Sequence, residues 1–258
     1  MKPSPHWDVA ARTHVGRVRA QNEDSFVIDA PRGRFAVIDG MGGPAAGAVA
    51  AEHARIALQD HEDLFEAFAV ANRAILQDAA RNPDRHGMGC VVTAVHIHGP
   101  MIRVAHVGDT RAYVASEDAT EQITQDHTST AADQEAFGLS EAQARALPNQ
   151  HQVTNDIGRR PRKGVEWIEA HDVMFSRGDV LLLCSDGLHD ALPQAILFAR
   201  LAEARKQRWT AGDLADRLLA EALSAGGDDN VTVVVVRRRY TTDQIVTALA
   251  NPFLGEDG

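Results

Sequence analysis

Four aspartates stand where apolar, strand-like segments of the 258-residue sequence begin or end. Asp39 follows FAVI, Asp109 follows VAHVG, Asp186 follows LLLCS, and Asp229 precedes NVTVVVV. A single aspartate in such a position is more often a turn former or a helix cap than a ligand. Strands of one core would bring all four together, however, and two carboxylates about 4 Å apart repel by roughly 4 kcal/mol at an effective dielectric near 20. Such a cluster requires cations.

The chemistry that fits this cluster is phosphoester hydrolysis with divalent metal ions. The ligands are hard carboxylate oxygens, and the sequence has neither a Cys/His pair at zinc spacing nor a Walker-type loop. This favours Mg²⁺ or Mn²⁺ over zinc or a P-loop nucleotide site. Two such ions about 3.5–4 Å apart lower the pKa of a water between them and present hydroxide to a phosphorus atom.

The segment GMGG (40–43) directly follows Asp39 and has two interpretations. In the first, Gly40 bends the chain so that its own carbonyl reaches a metal ion, where a Cβ atom would obstruct the approach. In the second, the glycines only let a helix pack closely against a strand. The stretch alone leaves both open.

Apolar patterns predict the elements that would position these aspartates. FAVI (35–38) is typical of a buried strand. Residues 44–59 are predicted to form a helix whose apolar side includes Val49, His53 and Ile56.

A second amphipathic helix is predicted over residues 63–80, where Asp63 and Glu66 have the spacing of a capping box. Its apolar positions recur at helical spacing and are Leu64, Phe68, Ala71, Ile75 and Ala79. Further helical patterns lie at about 193–205 and 213–224.

The remaining apolar runs predict strands that pair in hairpins. Residues 89–116 alternate apolar and polar side chains around His98-Gly99-Pro100, and residues 108–110 predict a second turn. Runs at 179–187 and 230–238 have strand length. Because the helices come in pairs rather than after every strand, we predict an α+β fold of antiparallel sheets covered by helices, not a doubly wound parallel sheet.

A different composition marks residues 127–164, which are mostly polar or turn-forming apart from one predicted helical stretch near 140–147. Loops this long inside a compact domain are usually lids, binding loops or disordered inserts. We predict a functional flap and keep a solvated insert as the alternative. The flap would belong to a single domain over residues 1–240, followed by a C-terminal tail over 241–258.

Composition narrows the class of partner and the compartment. The 26 Lys and Arg against 36 Asp and Glu give a net charge of −10, which argues against a nucleic-acid or anionic-membrane partner. Cys90 and Cys184 lie far apart in apolar runs and are predicted to be buried, reduced thiols. With neither a signal-peptide core nor a bilayer-length apolar stretch, the sequence predicts a cytoplasmic protein.

The sequence resembles the metal-dependent protein Ser/Thr phosphatases of the PP2C (PPM) type, in their bacterial form, over about residues 8 to 237. Single motifs such as SDG or NED would mean little, but seven occur in the order of the family. They are GRVRAQNEDSF (16–26), VIDGMGG (37–43), GMGCVVTAV (87–95), HVGDTRAYV (106–114), ITQDHT (123–128), LLLCSDGL (181–188) and GGDDNVTVVVV (226–236).

This resemblance implies a role for each candidate site residue. Asp39 would bridge two Mn²⁺ or Mg²⁺ ions, and the Gly40 carbonyl would bind one of them. Asp186 and Asp229 would be ligands on the opposite side of the pair, and Asp109 with Asp186 would bind a weaker third ion. Glu23 and Asp24 would hold metal-bound waters. Arg19 would bind the substrate phosphate. Asp228 would be a solvated neighbour of Asp229.

The implied fold is a four-layer α-β-β-α sandwich of two antiparallel sheets with a flap insertion. The implied reaction is attack of the bridging hydroxide on phosphoserine or phosphothreonine in proteins, which would be substrates of a Ser/Thr kinase. We expect a monomer. Two alternatives stay open: a pseudophosphatase that binds phosphorylated partners without turnover, and a hydrolase of small phosphoesters. The intact Asp39, Asp186, Asp229 and Arg19 favour an enzyme.

Two positions depart from the family pattern. Met41 stands where many eukaryotic members have a histidine proposed as general acid, so the proton donor to the leaving group is unassigned. His106 and His127 are candidates, although a histidine in a strand or loop is more often structural or solvated. Cys90 replaces a usual threonine, and no feature of the sequence marks it as a nucleophile.

Overall fold

Two five-stranded antiparallel sheets pack face to face in the computed structural model, which describes residues 7–43, 46–144, 146–147 and 152–239. The strands are β1 (Trp7–His14), β2 (Ser25–Asp29), β3 (Arg34–Met41), β4 (Gly89–His98), β5 (Met101–Val107), β6 (Arg111–Ala115), β7 (Thr120–Gln122), β8 (Glu169–Met174), β9 (Val180–Cys184) and β10 (Val231–Arg238). One sheet has the order β1-β10-β9-β6-β7 and the other the order β2-β3-β4-β5-β8.

Seven α-helices accompany the two sheets among the described residues. They are α1 (Ala46–Asp60), α2 (Leu64–Arg81), α3 (Ser129–Phe137), α4 (Glu141–Ala144), α5 (Asp186–Ala191), α6 (Gln194–Gln207) and α7 (Ala211–Ser224). Side chains of α1 and α2 share a core with β3 and β4, and those of α6 and α7 share one with β9 and β10. The predicted α+β sandwich, with helices outside two antiparallel sheets, is confirmed.

Strand β3 is apolar on both faces, which explains the uninterrupted FAVI run. Phe35 and Val37 belong to the core between the sheets, whereas Ala36 and Ile38 belong to the core beneath the helices. Successive side chains of a strand point to opposite faces, so a strand covered on both faces shows no polar alternation.

The predicted apolar side of α1 is only partly right. Val49 is partly buried and packs against the core and His53 is partly buried, but Ile56 is 44% exposed. The buried side is made of small residues, namely Ala46, Gly47, Ala50, Ala51, Ala54 and Ala57, with Leu58. Small side chains let the helix approach the sheet closely, and a hydrophobicity pattern does not distinguish that face from one of larger residues.

The second helix and the first hairpin agree with the sequence. Asp63 caps α2 by accepting a hydrogen bond from the Glu66 backbone N–H (2.8 Å). Gly99 and Pro100 join β4 to β5. The turn at 108–110, in contrast, does not make a second hairpin, because it carries the chain from β5 in one sheet to β6 in the other.

Part of the 127–164 segment is anchored in the core. Cys90 and the buried Ile157 exchange two backbone hydrogen bonds of 2.9 Å. The predicted helix near 140–147 corresponds to α4, and the sequence patterns missed α3 just before it. The flap boundaries stay a prediction, and the predicted tail at 241–258 lies outside the described residues.

Candidate metal centre

A cleft of about 1100 Å³ opens where the ends of both sheets meet. Its lining includes every residue predicted for the site except Asp24, namely Arg19, Glu23, Asp39, Gly40, Asp109, Asp186 and Asp229. The four aspartates that the sequence places at strand ends are therefore brought together.

The four carboxylates reach the cleft from different local structures. Asp39 lies within β3, opposite Val91 of β4, rather than after the strand. Asp109 occupies the turn that crosses between the sheets, Asp186 begins α5, and Asp229 lies two residues before β10. Asp39 thus comes from one sheet, Asp186 and Asp229 flank strands of the other, and Asp109 lies between the two, so the site depends on how the sheets pack against each other.

Burial and mutual repulsion hold two of these carboxyls against ionisation. Removal from water raises the pKa of Asp39 well above its ordinary range, and the charges of Asp24 and Asp186 raise it further. Burial likewise raises the pKa of Asp186, with added repulsion from Asp109 and Asp190. A cation among these groups would offset the repulsion and lower both pKa values.

Asp109 is buried, and this raises its pKa to about 7, with further contributions from Asp126 and Asp190. Asp190 lines the cleft and was not predicted from the sequence. It stands four residues after Asp186 on the same helix, a spacing that places two side chains on one face. The spacing indicates a shared face only if residues 186–190 are known to be helical. The sequence patterns instead predicted a strand for residues 179–187.

Asp24 lies behind the cleft and supports the assignment to a cation site. Burial raises its pKa to about 6, although the hydroxyls of Thr232 and Ser185 donate hydrogen bonds to it, the latter at 2.7 Å. Its second oxygen, Oδ1, is buried and has no hydrogen-bond partner among the described residues. Buried polar atoms are normally satisfied, so this oxygen fits a metal-bound water.

The donor set therefore fits divalent cations that prefer oxygen. All candidate side-chain ligands are carboxylates and they converge in one cleft, where burial and mutual repulsion raise the pKa values of Asp39 and Asp186. Mg²⁺ and Mn²⁺ suit carboxylate, carbonyl and water ligands.

The raised pKa values predict how pH changes the stability of the metal-free protein. An acid whose pKa is higher in the folded state stabilises the fold below its unfolded pKa, near 4, and this contribution is lost as pH rises through the folded value, about 7 for Asp109. Acids with lowered values, such as Asp78 at about 2, are ionised throughout this window and add no slope. The buried His106, whose pKa is lowered to about 4, has the opposite effect up to its unfolded value near 6.5, so in chelator the melting temperature should fall by several degrees between about pH 6.5 and about pH 8.

Excess Mn²⁺ should reduce that fall, because metal binding displaces the protons and becomes stronger as pH rises. Melting curves at both pH values, with chelator and with Mn²⁺, check this. A chelated protein whose melting temperature is the same at both pH values would contradict the clustering of buried acids.

The glycine after Asp39 is required by packing. A Cβ atom on Gly40 would lie 2.2 Å from the Gly47 carbonyl oxygen of α1 and 2.8 Å from the Glu23 carbonyl oxygen. These contacts support the interpretation in which GMGG lets the helix pack closely on the strand. The other interpretation, in which the Gly40 carbonyl binds a metal ion, is supported only by the family resemblance.

Arg19 forms an ion pair with one of the candidate ligands. Its Nη2 donates to Asp229 Oδ2 at 2.6 Å, and the Asp229 charge raises the pKa of the guanidinium. The Arg19 side chain is nevertheless 56% exposed in the cleft wall. An exposed pair of this kind contributes less than about 1 kcal/mol, so a stronger ligand for either partner would separate it.

Asn230 holds the loop that carries Arg19, a role that the sequence patterns did not reveal. Its Nδ2 donates to the carbonyls of Val15 and Gln21, both at 2.9 Å, and its Oδ1 accepts from the Glu23 N–H at 2.8 Å. The amide is thus bonded at both ends of the loop. In the sequence, the only indication of its importance is its position directly after Asp229 in the GGDDN motif.

Comparisons with known proteins identify the family of this chain. The model of the family Protein phosphatase 2C matches residues 12–151. The chain belongs to the Protein phosphatase 2C family. Serine/threonine phosphatase stp of Listeria innocua is 31% identical, over 88% of this chain and 94% of that protein. Serine/threonine protein phosphatase PstP of Mycobacterium tuberculosis is 33% identical over 96% of this chain but 48% of its own length, so the chain spans about half of that relative.

The solved structures of the family include one with metal ions. The catalytic domain of serine threonine protein phosphatase PstP, in complex with two manganese ions, has a TM-score of 0.80 and 31% identity, covering 91% of this chain and 99% of that one. The identification as a bacterial PP2C-type phosphatase is confirmed at the level of the family.

Among the described residues, no helix has both the length and the apolar character needed to cross a bilayer.

Within this PP2C cleft, the described lining contains Met41 but neither histidine nor cysteine. His106 is fully buried elsewhere, and burial lowers its pKa to about 4, so it stays neutral near pH 7. Burial also raises the pKa of Cys90, which pairs with Gly40 across the sheet and remains a thiol. Met41 therefore lines the cleft without a proton to donate, and neither His106 nor Cys90 reaches it.

Proposed function

We propose that this chain is a serine/threonine protein phosphatase that hydrolyses phosphoserine and phosphothreonine with two Mn²⁺ or Mg²⁺ ions. The observation that carries the proposal is the convergence of Asp39, Asp186 and Asp229 in one open cleft, with two of them resisting ionisation in the metal-free protein. Family membership and the manganese-bound relative support the choice of reaction and metal.

Each residue of the cleft then has a defined task. Asp39 would be shared by both ions, with the Gly40 carbonyl on one of them. Asp186 and Asp229 would complete the pair, while Asp109 would hold a weaker third ion together with Asp186. Glu23 and Asp24 would orient metal-bound waters, for which the buried Oδ1 of Asp24 is suited.

When bound, the ions would neutralise the phosphoryl oxygens and supply hydroxide from a bridging water for in-line attack on phosphorus. Arg19 would donate two parallel N–H bonds to the phosphate once it is released from Asp229. These bonds would strengthen as negative charge develops on the phosphoryl oxygens.

Two alternatives differ in turnover or in substrate. A pseudophosphatase would bind phosphorylated partners without hydrolysis, but such a protein is free to lose ligands that this chain retains. A hydrolase of small phosphoesters would use the same centre. The names of the relatives favour protein substrates. We propose that these are the substrates of a Ser/Thr kinase and that the phosphatase is a cytoplasmic monomer.

The decisive experiment measures phosphate release from a phosphothreonine peptide with added Mn²⁺ and again after exhaustive chelation. We expect turnover only with the metal, restored when Mn²⁺ is returned. Metal-dependent peptide binding without phosphate release would support the pseudophosphatase instead. Release that survives chelation would refute the metal mechanism.

Arg159, from the 127–164 segment, tests whether that segment acts on substrate choice. It is exposed, lines the cleft and donates its Nε to the Gly87 carbonyl at 3.2 Å. Because a peptide extends beyond the phosphate, Arg159→Ala should lower kcat/KM on a phosphopeptide about three- to tenfold and on a small aryl phosphate less than about twofold. Lys163→Ala is the matched control, since Lys163 is an exposed cation of the same segment that does not line the cleft. Equal losses on both substrates would place Arg159 in the catalytic centre.

A further inference from the structure

His127 makes hydrogen bonds with both the backbone N–H and the backbone carbonyl of Gly108. The Gly108 N–H donates to Nδ1 of His127 at 3.1 Å, and the His127 backbone N–H donates to the Gly108 carbonyl at 2.7 Å. Gly108 has a φ of 109°, and a Cβ atom there would lie 2.0 Å from Cγ1 of Val91. The residue before Asp109 therefore has its conformation fixed by one histidine and one close neighbour.

The hydrogen bonds also assign the proton on the His127 ring. Nδ1 accepts from the Gly108 N–H and faces the Asn155 Nδ2 at 3.2 Å, so the neutral ring carries its proton on Nε2. Nε2 donates to Glu169 Oε2 at 3.0 Å, and His171 contacts the other carboxylate oxygen. Burial raises the pKa of Glu169, but the bonds from the two histidines outweigh it and bring the value to about 2.

The same protons argue against a metal site in this cluster. His106, His127 and Glu169 each place a ligand atom within 4.8 Å of the others. A metal ion needs an unprotonated ring nitrogen, yet Nε2 of His127 carries the proton. In His106, Nε2 donates to the Gln125 carbonyl at 3.1 Å and Nδ1 faces the Thr93 hydroxyl at 2.9 Å. Glu169 and His127 thus form a chain of hydrogen bonds that ends at Gly108, and both ring nitrogens of His106 face other groups.

We propose that His127 is a positioning residue for Asp109. Through Nδ1 it holds the Gly108–Asp109 turn so that the Asp109 side chain lines the metal cleft, while His189 Nε2 donates to the Asp109 carbonyl at 2.9 Å from the other side. Glu169, which accepts from Nε2, keeps the ring in the required orientation. The link to metal binding rests on the proposed function, in which Asp109 serves a third ion.

Two substitutions separate the ends of the imidazole. Asn at position 127 places an amide oxygen near the position of Nδ1, whereas Gln places its amide near Nε2. His127→Gln should accelerate solvent exchange of the Gly108 amide proton, measured by NMR in the full chain, about tenfold. It should also raise the Mn²⁺ concentration for half-maximal phosphate release by a similar factor. His127→Asn should stay within about threefold of the parent in both measurements.

The controls isolate each step. His171→Ala removes the outer end of the chain and should change neither measurement, and Asp109→Asn gives the effect of losing the carboxylate itself. Equal Gly108 exchange in the Asn and Gln variants would overturn the proposal. If exchange separates them while Asp109→Asn leaves the Mn²⁺ dependence unchanged, His127 holds the turn as proposed and the metal role of Asp109 fails.

A measurement on the unsubstituted protein covers the case in which a variant does not fold. Nitrogen-15 NMR of the His127 ring should show the proton on Nε2 and Nδ1 unprotonated. A ring protonated on Nδ1 cannot accept from the Gly108 N–H and would overturn the proposal without any variant.

Discussion

Asp39→Asn is expected to lower kcat/KM on a phosphothreonine peptide by about 10³-fold or more in saturating Mn²⁺. Asp39 lies centrally among the clustered acids, and a neutral amide can neither balance two cations nor bridge them. A metal ion contributes several kcal/mol to transition-state stabilisation, and about 4 kcal/mol corresponds to that factor.

The same substitution should act on stability with opposite signs in the two metal states. Metal at about 100 times its dissociation constant adds roughly 2.7 kcal/mol, or about 5–10 °C in melting temperature for a domain of this size, and Asp39→Asn should lose most of that gain. In chelator at about pH 8, however, the variant should melt above the parent, because it removes one repelling carboxylate from beside Asp24 and Asp186.

Asp228→Asn makes the same chemical change at an exposed acid of the same cleft. It should leave turnover within about twofold and leave both melting temperatures nearly unchanged. Calorimetry and phosphate release in parallel therefore separate loss of the bridge from loss of net charge. If Asp39→Asn bound Mn²⁺ and turned over like Asp228→Asn, Asp39 would not be the shared ligand.

The sequence predicted what depends on local pattern and on motif order. FAVI has no polar residue because β3 is covered on both faces, and α2 has its apolar stripe at regular helical spacing. The four aspartates could be expected in one place because each borders a buried run. The fold and the family follow from these features together.

What escaped prediction depends on distances between elements. The buried side of α1 consists of small residues because Gly40 and Gly47 bring strand and helix into contact, which no single helix pattern shows. The turn at 108–110 resembles a hairpin turn, but the following strand pairs with β9 rather than with β5. Asp190 reaches the cleft only because α5 begins directly after Ser185.

The contact between Arg19 and Asp229 joins residues 210 positions apart and was likewise not predicted. It changes the expected behaviour of Arg19. In the metal-free protein the guanidinium offsets part of the charge that a metal ion would neutralise, so a cation at Asp229 and a phosphate at Arg19 would favour each other. Metal binding would free the guanidinium, and the phosphate would hold it away from Asp229.

Arg19→Ala should therefore lower kcat/KM on a phosphopeptide by roughly ten- to a hundredfold while leaving Mn²⁺ affinity equal or slightly tighter. Hydrogen bonds to charged groups contribute about 1.5–3 kcal/mol each, and their loss gives this range. Arg19→Lys should recover only part of the rate, because an ammonium keeps the charge without the two-pronged geometry. Steady-state kinetics and metal titrations on each variant provide the measurement.

Arg17→Ala is the matched control, because Arg17 lies on the same loop but bonds to the Leu223 carbonyl at 2.8 Å and does not line the cleft. The split between constants shows how Arg19 acts: a raised KM alone means that it holds ground and transition states equally, whereas a lowered kcat means that its bonds tighten as charge develops. We expect both, with KM clearly raised. Kinetics unchanged from the parent would show that Arg19 only pairs with Asp229 and that the metal ions hold the phosphate without it.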